Sequence, residues 1–305
     1  MRTARIHLIL FFSGLVLLSG CSVDRMIVEK LADTLSSGMG TAFTGEDDPE
    51  LVGDALPFAL KLYDSLLEQT PNHANLLLST GSAYIMYANA FIQTKAEMLP
   101  ETEFEEKERM LKRAKHLYLR GRDMVLKSLE VTYPGFNAYL TERKYDKAFA
   151  PVKKQDTGKL YWAAAGWFAA FSADSFDLDL SISVGTAEKM MQKALALDET
   201  YNYGAIHDFY ILFYGSMPAG RGFSEAKARE QFARSIEITQ GKSASPYVNL
   251  AASICIRNQN REEFITLLNK ALAVDPDAVP EIRLLNIITQ RKAAWYLKHI
   301  DDFFI

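Results

Sequence analysis

The chain has 305 residues, 49% of them hydrophobic, and its 34 Lys and Arg stand against 38 Asp and Glu. This length and apolar content are sufficient for a large hydrophobic core. The mildly acidic balance provides no basic surface for nucleic acid, so no nucleic-acid partner is expected.

The first residues have the pattern of a bacterial lipoprotein signal. Arg2 and Arg5 precede a short apolar run at residues 8–18, and the motif Leu18-Ser19-Gly20-Cys21 follows. The run is too short to span a bilayer, which takes about 20 residues. Small residues directly before a cysteine are typical of a lipobox, which predicts a signal peptide at residues 1–20 and lipidation (palmitate) at Cys21. The alternative is an ordinary secretory signal with an accidental cysteine.

Removal of residues 1–20 takes away two arginines, which leaves 34 − 2 = 32 basic against 38 acidic residues and a formal charge of −6. Without a polybasic patch, the acyl chains would have to anchor the protein to its membrane. Ser22, directly after the lipidated cysteine, leaves the choice between inner and outer membrane open. Cys255 lies in an apolar run and is expected to be a buried thiol without a disulfide partner.

Residues 21–49 are predicted to be a lipidated tether and residues 50–305 a helical body. A short helix could form at residues 25–35, but glycine-rich and proline-containing breaks follow it. The body has no convincing strand pattern, and its prolines are expected to fall between helices.

Three long stretches of the body lack a charged face. They are residues 76–92, 160–171 and 201–220, the last with Asp208 as its one charge. A helix without a charged face has to be covered on several sides, so residues 76–92 are predicted to be the inner helix of a layered array, whose small residues let neighbouring backbones approach. The many Tyr and Trp side chains suit the wall of an apolar channel or pocket, although ordinary core helices are the alternative.

Five positions share a helix end rich in Leu, Ala or Ile that is followed by a break. These ends begin at residues 66, 128, 194, 235 and 271. The last resembles the end of a tetratricopeptide repeat, whose period is about 34 residues. The pattern predicts an all-α fold of degenerate tetratricopeptide-type hairpins, stacked in a right-handed superhelical array around a central pore or pocket.

No catalytic or metal-binding motif stands out. The five histidines lack metal-ligand spacing, and the chain has no glycine-rich phosphate loop, no GxSxG and no CxxC. His207 and Asp208 are adjacent on a predicted helix and therefore do not face each other as a catalytic pair. The sequence predicts neither an enzyme nor a cofactor.

The ordered set of segments resembles one family. After the lipobox come NHANLLLSTGSAYIMYANAFIQTKAEML, KLYWAAAGWFAAF, AIHDFYILFYGSMPAGRGFSEAKAREQFARSIEIT and RLLNIITQRKAAWYLKHIDDFF. This order is similar to that of the tetratricopeptide-containing T component of tripartite ATP-independent periplasmic (TRAP) transporters. The resemblance implies a periplasmic lipoprotein that forms a homo-oligomer, with a trimer among the candidate states, and a hydrophobic pore through each protomer.

The resemblance also implies a partner and a set of site residues. The partner is the substrate-binding P component of the transporter, and the task is to help a small, partly hydrophobic organic ligand reach the permease. Carried over residue by residue, Cys21 is the lipid site, and the pore-lining candidates are Tyr84, Tyr87, Asn89, Trp162, Trp167, His207, Tyr210 and Tyr214. Considered without the resemblance, Asn89 is expected to form a hydrogen bond with a neighbouring backbone group. His207 is expected to be an interior histidine whose hydrogen bonds are satisfied.

Two other functions stay open. A scaffold lipoprotein that mediates protein–protein assembly at the membrane predicts a solvent-exposed groove with a charged lining, and the uncharged helices count against it. An enzyme built from distant residues predicts several titratable groups that converge in a pocket.

Overall fold

The computed structural model describes residues 29–34, 42–220 and 222–305. Within these ranges every regular element is helical, so the all-α prediction is confirmed. The signal peptide at 1–20 and the lipid site Cys21 lie outside the described residues, and residues 21–49 are described only in part. These assignments therefore stay predictions.

The body consists of α-helices that we number in chain order. They are α1 (Pro49–Gln69), α2 (Ala74–Tyr87), α3 (Thr94–Glu97), α4 (Phe104–Thr132), α5 (Phe136–Thr141), α6 (Tyr145–Phe149), α7 (Thr157–Ala173), α8 (Leu178–Leu197), α9 (Tyr201–Ser216), α10 (Glu225–Thr239), α11 (Ser245–Leu250), α12 (Arg261–Leu272) and α13 (Arg283–Lys298). A π-helical turn (Ala88–Gln93) joins α2 to α3, and another (Ala251–Cys255) extends α11. Short 3₁₀ turns lie at Glu101–Glu103, Lys154–Asp156, Pro276–Ala278, Pro280–Ile282 and Ile300–Asp302.

The helix boundaries follow from local chemistry at both ends. Side chains that accept hydrogen bonds from the first free N–H groups cap several helices, as Asp48 does for α1, Asp177 for α8 and Ser224 for α10. All five predicted repeat ends coincide with the C-terminus of a helix, namely α1, α4, α8, α10 and α12. The assignment of these hairpins as tetratricopeptide repeats in a superhelix stays a prediction.

Pro57 contradicts the expectation that prolines fall between helices, because it lies inside α1. Proline has no N–H to donate to the carbonyl four residues earlier, which here belongs to Gly53. Pro57 itself is exposed, so the missing bond occurs on the side of the helix that water reaches. The position of a proline on the helix surface thus decides whether it ends the helix.

The body is built in two layers. Helices α2, α7 and α9 form the first layer, in which α2 contacts α7 and α7 contacts α9. Helices α4, α8 and α10 form the second layer, where α4 packs on both α2 and α7, and α8 packs on both α7 and α9. The first-layer helices are the three uncharged stretches of the sequence, because they are covered by neighbours on several sides.

Glycines bring α2, α4 and α7 into backbone contact. A Cβ atom added to Gly81 would lie 2.6 Å from the carbonyl oxygen of Gly121, and one added to Gly121 would lie 2.5 Å from the carbonyl oxygen of Gly81. On α7, a Cβ atom on Gly166 would lie 2.7 Å from the Ile85 side chain. No side chain fits between the backbones of α2 and α4 at this point. The close approach expected for Gly81 therefore requires a glycine on α4 as well, which is Gly121.

The last helix of the chain returns to the first. Helix α13 contacts α1, where Arg291 forms an ion pair with Glu50. Leu284 and Ile288 on α13 also pack against the core formed by the first-layer helices. The N-terminal and C-terminal ends of the body are therefore joined directly.

We expect Gly81→Ala and Gly121→Ala each to lower the free energy of unfolding by about 1–3 kcal/mol, because the added methyl group forces α2 and α4 apart. Chemical denaturation measures the effect. The matched control is Gly185→Ala on α8, where a Cβ atom meets nothing within 4 Å. This control should be neutral or more stable by up to about 1 kcal/mol, since alanine favours helix over glycine. Equal effects at all three positions would contradict the packing argument.

Candidate functional site

Each first-layer helix has a stripe of residues that keep partial access to solvent, and we call these stripes together the open face. On α2 and its π-turn it consists of residues that are three or four positions apart and partly accessible, namely Ser82, Met86 and Asn89. On α7 and α9 the same spacing selects Tyr161, Trp162, Ala165, Ala169, Tyr201, Ala205, Asp208 and Leu212, which are also partly accessible. Most residues on the other faces of these helices are buried, so the accessible positions form one stripe on each helix.

Two of the eight predicted pore-lining residues, Asn89 and Trp162, lie on the open face. The other six point toward helices that pack on the first layer. Pore lining stays a prediction for all eight, but the structure separates them into two groups with different surroundings.

Tyr84 and Tyr87 lie on the α4 side of α2 and are buried. The Tyr84 hydroxyl donates a 2.7 Å hydrogen bond to Asp64 on α1, and the Arg120 guanidinium lies 4.6 Å from the centre of the Tyr84 ring. Arg113 on α4 lies 5.9 Å from the Tyr87 ring. Both rings therefore already have a cation from α4.

The remaining four residues face α8 and α10. Trp167 donates a 3.0 Å hydrogen bond to Ser183 on α8, and His207 is buried with its Nδ1 2.7 Å from Gln231 on α10. The rings of Tyr210 and Tyr214 stack at 5.4 Å, and Lys227 of α10 lies 5.1 Å from the Tyr214 ring. His207 is an interior histidine as expected, but it is not fully satisfied, because its buried Nε2 has no hydrogen-bond partner among the described residues.

A chain of polar groups connects the open face of α2 with α13. Asn89 donates to the Tyr118 hydroxyl at 3.4 Å, Tyr118 donates to Gln93 Oε1 at 2.6 Å, and Gln93 donates to Glu97 at 2.7 Å. Glu97 then forms an ion pair with Lys292 on α13. The π-turn places Asn89 and Gln93 four residues apart on the side of α2 that makes these contacts.

Glu97 and Lys292 form a charged pair in the interior that still meets water. Burial alone would raise the pKa of Glu97, but the Lys292 charge and hydrogen bond outweigh it, so the pKa is lowered. The pKa of Lys292 is raised, because the attraction of Glu97 and Tyr296 exceeds the effect of burial. Protein surrounds both groups, and yet their side chains are 32% and 22% exposed. Both side chains therefore keep partial access to solvent.

A second polar group on the open face is Asp208. Its Oδ1 accepts a 2.7 Å hydrogen bond from Ser235 on α10, and no described residue donates to its Oδ2. Burial raises the pKa of Asp208 to about 7, against a usual value of 3.8. The charge of Asp208 acts on Tyr161, whose ring centre lies 5.2 Å from that of Tyr201.

The first residues of α9 are strained. Asn202 and Tyr203 have φ angles of 45° and 55°, in the left-handed region that non-glycine residues rarely adopt. A cavity of about 480 Å³ opens here, lined by Thr200, Asn202, Tyr203, Arg234, Glu237 and Ile238. The strain therefore occurs beside a cavity, one residue after Tyr201 of the open face.

The described residues contain neither a membrane-spanning helix nor a metal site. No helix there has the length and apolar character needed to cross a membrane. Within the same ranges, no group of three or more His, Cys, Asp or Glu side chains is arranged to hold a metal ion. Buried Cys255 agrees with the expectation from the sequence.

The sequence did not identify Gln93, Glu97 and Lys292 as candidate site residues, because they lie outside the three uncharged stretches that supplied the candidates. Glu97 and Lys292 are 195 residues apart. A charged residue at the end of an apolar helix gives no signal of its own, since it is usually solvated. Asp208 had a signal, because it is the one charge in residues 201–220.

We expect Lys292→Met to lower the free energy of unfolding by about 1–3 kcal/mol, less than for a fully buried pair, because Glu97 loses its cation but keeps some access to water. Adding Glu97→Gln should recover part of the loss, since no uncompensated charge then remains. Lys298→Met, at the exposed end of the same helix, is the control and should stay near wild type. A Lys292→Met protein as stable as this control would show that the pair contributes nothing.

Asp208 should make the protein less stable as the pH rises. Its folded pKa of about 7 exceeds the usual 3.8, so the folded chain binds the proton more tightly. The stability contribution is therefore lost as the pH rises from about 4 to 7. Asp208→Asn removes this dependence and should be more stable than wild type above about pH 7, by on the order of 1–2 kcal/mol given the partial access of water. Denaturation of both proteins at a series of pH values gives the difference curve, and a flat curve would contradict the prediction.

Comparison with known proteins agrees with the resemblance seen in the sequence. The family described as "TRAP transporter T-component" matches residues 45–304, which include all thirteen labelled helices. The chain is also 36% identical over 310 residues to an uncharacterized protein of Treponema pallidum (strain Nichols), and the alignment covers 96% of each chain. The chain belongs to the TRAP transporter T-component family.

Proposed function

We propose that the protein is a periplasmic lipoprotein that pairs with the substrate-binding protein of a TRAP transporter and helps pass a small, partly hydrophobic organic ligand to the permease. Its family is one of transporter accessory proteins and not of enzymes. The observation that carries the proposal is the open face, whose residues keep partial access to solvent. The ligand would move along this face.

The chemistry of the open face supports a passage for a mixed apolar and polar molecule. Ala165, Ala169 and Ala205 leave room above the helices, and Tyr161 and Trp162 offer apolar rings with polar tips. In this proposal the lining consists of the accessible stripes, and the six predicted residues that face other helices support the wall from behind.

Membrane attachment is part of the proposal. Lipidation at Cys21 would hold the body at a bacterial membrane through its acyl chains. The short segment before α1 would act as the tether. Sorting of the lipoprotein would decide whether the anchor lies in the inner or the outer membrane.

Exposed apolar side chains favour protein–protein contacts in addition to the passage. Leu51, Phe58 and Leu62 are exposed on one side of α1, and Phe176, Leu178 and Ile182 are exposed around the start of α8. Exposed apolar patches of this kind mark interaction surfaces. They support association with a second copy or with the substrate-binding protein, and they also favour the alternative of a scaffold lipoprotein.

The test is co-purification of the full chain with the substrate-binding protein of its own transporter, followed by mass spectrometry of small molecules retained by the complex. We expect association, and a ligand that is lost at least about tenfold in Ala165→Trp, because the indole would fill the open face. Gly185→Trp on α8 is the control, since that position faces open space. It should retain the ligand.

Association with no retained molecule, or equal retention by both variants, would favour the scaffold. Failure of the two proteins to associate would overturn the proposed partnership.

A further inference from the structure

We propose that Tyr161, Trp162, Tyr201 and Asp208 form a binding site for an organic ammonium group on the open face. The ligand class is an alkyl or aryl amine whose positive end meets the Asp208 carboxylate and the three rings. This inference rests on the proposed passage and adds a charge preference to it.

The three rings form one cluster on α7 and the start of α9. The Tyr161 ring lies 5.1 Å from that of Trp162, almost perpendicular to it, and 5.2 Å from that of Tyr201. The Tyr201 hydroxyl lies 2.8 Å from the position that a Cβ atom of Gly158 would take, so Tyr201 rests directly on α7. Trp162 lies beside the same hydroxyl. Packing from both helices thus holds the rings in place.

Asp208 supplies the negative charge for this cluster. Its charge acts on Tyr161, whose pKa is raised first by burial and further by Tyr201 and Asp208. Among the described residues no Lys, Arg or His forms an ion pair with Asp208, and only Ser235 donates to it. A carboxylate that is largely shielded from water and has no cation partner is costly, and a bound cation would stabilise it.

The other aromatic residues of the first layer show what this cluster lacks. Cations of the protein already lie near four of them, with Arg120 at Tyr84, Arg113 at Tyr87, Arg122 at Trp167 and Lys227 at Tyr214, between 4.6 and 5.9 Å from the ring centres. Within the described ranges, no such contact involves Tyr161, Trp162 or Tyr201. Aromatic faces attract cations, most strongly in a site shielded from water. The cluster therefore combines unoccupied ring faces with an unpaired carboxylate, which is the chemistry that recognises an ammonium group.

Three probes with the same alkyl tail test the proposal, namely hexylammonium, hexanol and hexanoate. Their affinity for the full chain is measured by isothermal titration calorimetry at about pH 8, where the amine is charged. We expect hexylammonium to bind at least about tenfold more tightly than hexanol and hexanoate to bind most weakly, because the carboxylate attracts the first and repels the last.

Asp208→Asn should remove the preference for hexylammonium and leave hexanol binding unchanged. Asp54→Asn on the exposed side of α1 is the matched control and should behave as wild type. Tyr161→Phe, which keeps the ring, should bind hexylammonium better than Tyr161→Leu.

Equal affinity for the three probes, or tighter binding of hexanoate, would overturn the ammonium site and leave the proposed passage standing. No binding of any probe would count against both. Unchanged hexylammonium binding by Asp208→Asn would overturn the role of the carboxylate.

Discussion

The close approach of three backbones is the constraint on which the remainder of the structure depends. Gly81 and Gly121 let α2 and α4 meet backbone to backbone, and Gly166 lets α7 pack tightly on the Ile85 side chain of α2 and the backbone of α4. Because the helices are so close, each can pack against its neighbours in only one rotational orientation about its own axis. That rotation decides which residues of α2 and α7 point to the second layer and which remain on the open face.

The aromatic residues divide into two groups as a consequence. Of those that point to neighbouring helices, Tyr84 donates a hydrogen bond to α1 and Trp167 lies beside Arg122 of α4, while Tyr210 stacks on Tyr214 of its own helix. Those on the open face, such as Tyr161 and Trp162, contact each other and retain accessible surface. Similar residue types therefore stabilise the layers in one orientation and are available to a ligand in the other.

Charges on or near the open face are few and occupy two separate places. Lys292 of α13 neutralises Glu97 of α3, while Asp208 has no cation among the described residues. Ion pairs in a partly shielded space are strong enough to join distant parts of the chain. An unpaired carboxylate in such a space is better explained by a ligand than by stability, since it costs free energy in the absence of a partner.

The sequence by itself determined the all-α class, the family, the C-terminal ends of five helices and the three uncharged first-layer helices. These properties are local, because they depend on apolar periodicity, helix breaks and the absence of charge within one segment. Pro57 shows the limit of local reasoning, since only its exposure on α1 explains why the helix continues through it.

Only the tertiary structure decided which aromatic residues face the open side and that Glu97 meets Lys292. An uncharged helix has no polar stripe to indicate its orientation, so every Tyr and Trp in it is an equal candidate until the neighbours are known. The neighbours come from distant parts of the chain, as Gly121 does for Gly81 and Lys292 does for Glu97, and no pattern within a single segment encodes such a contact.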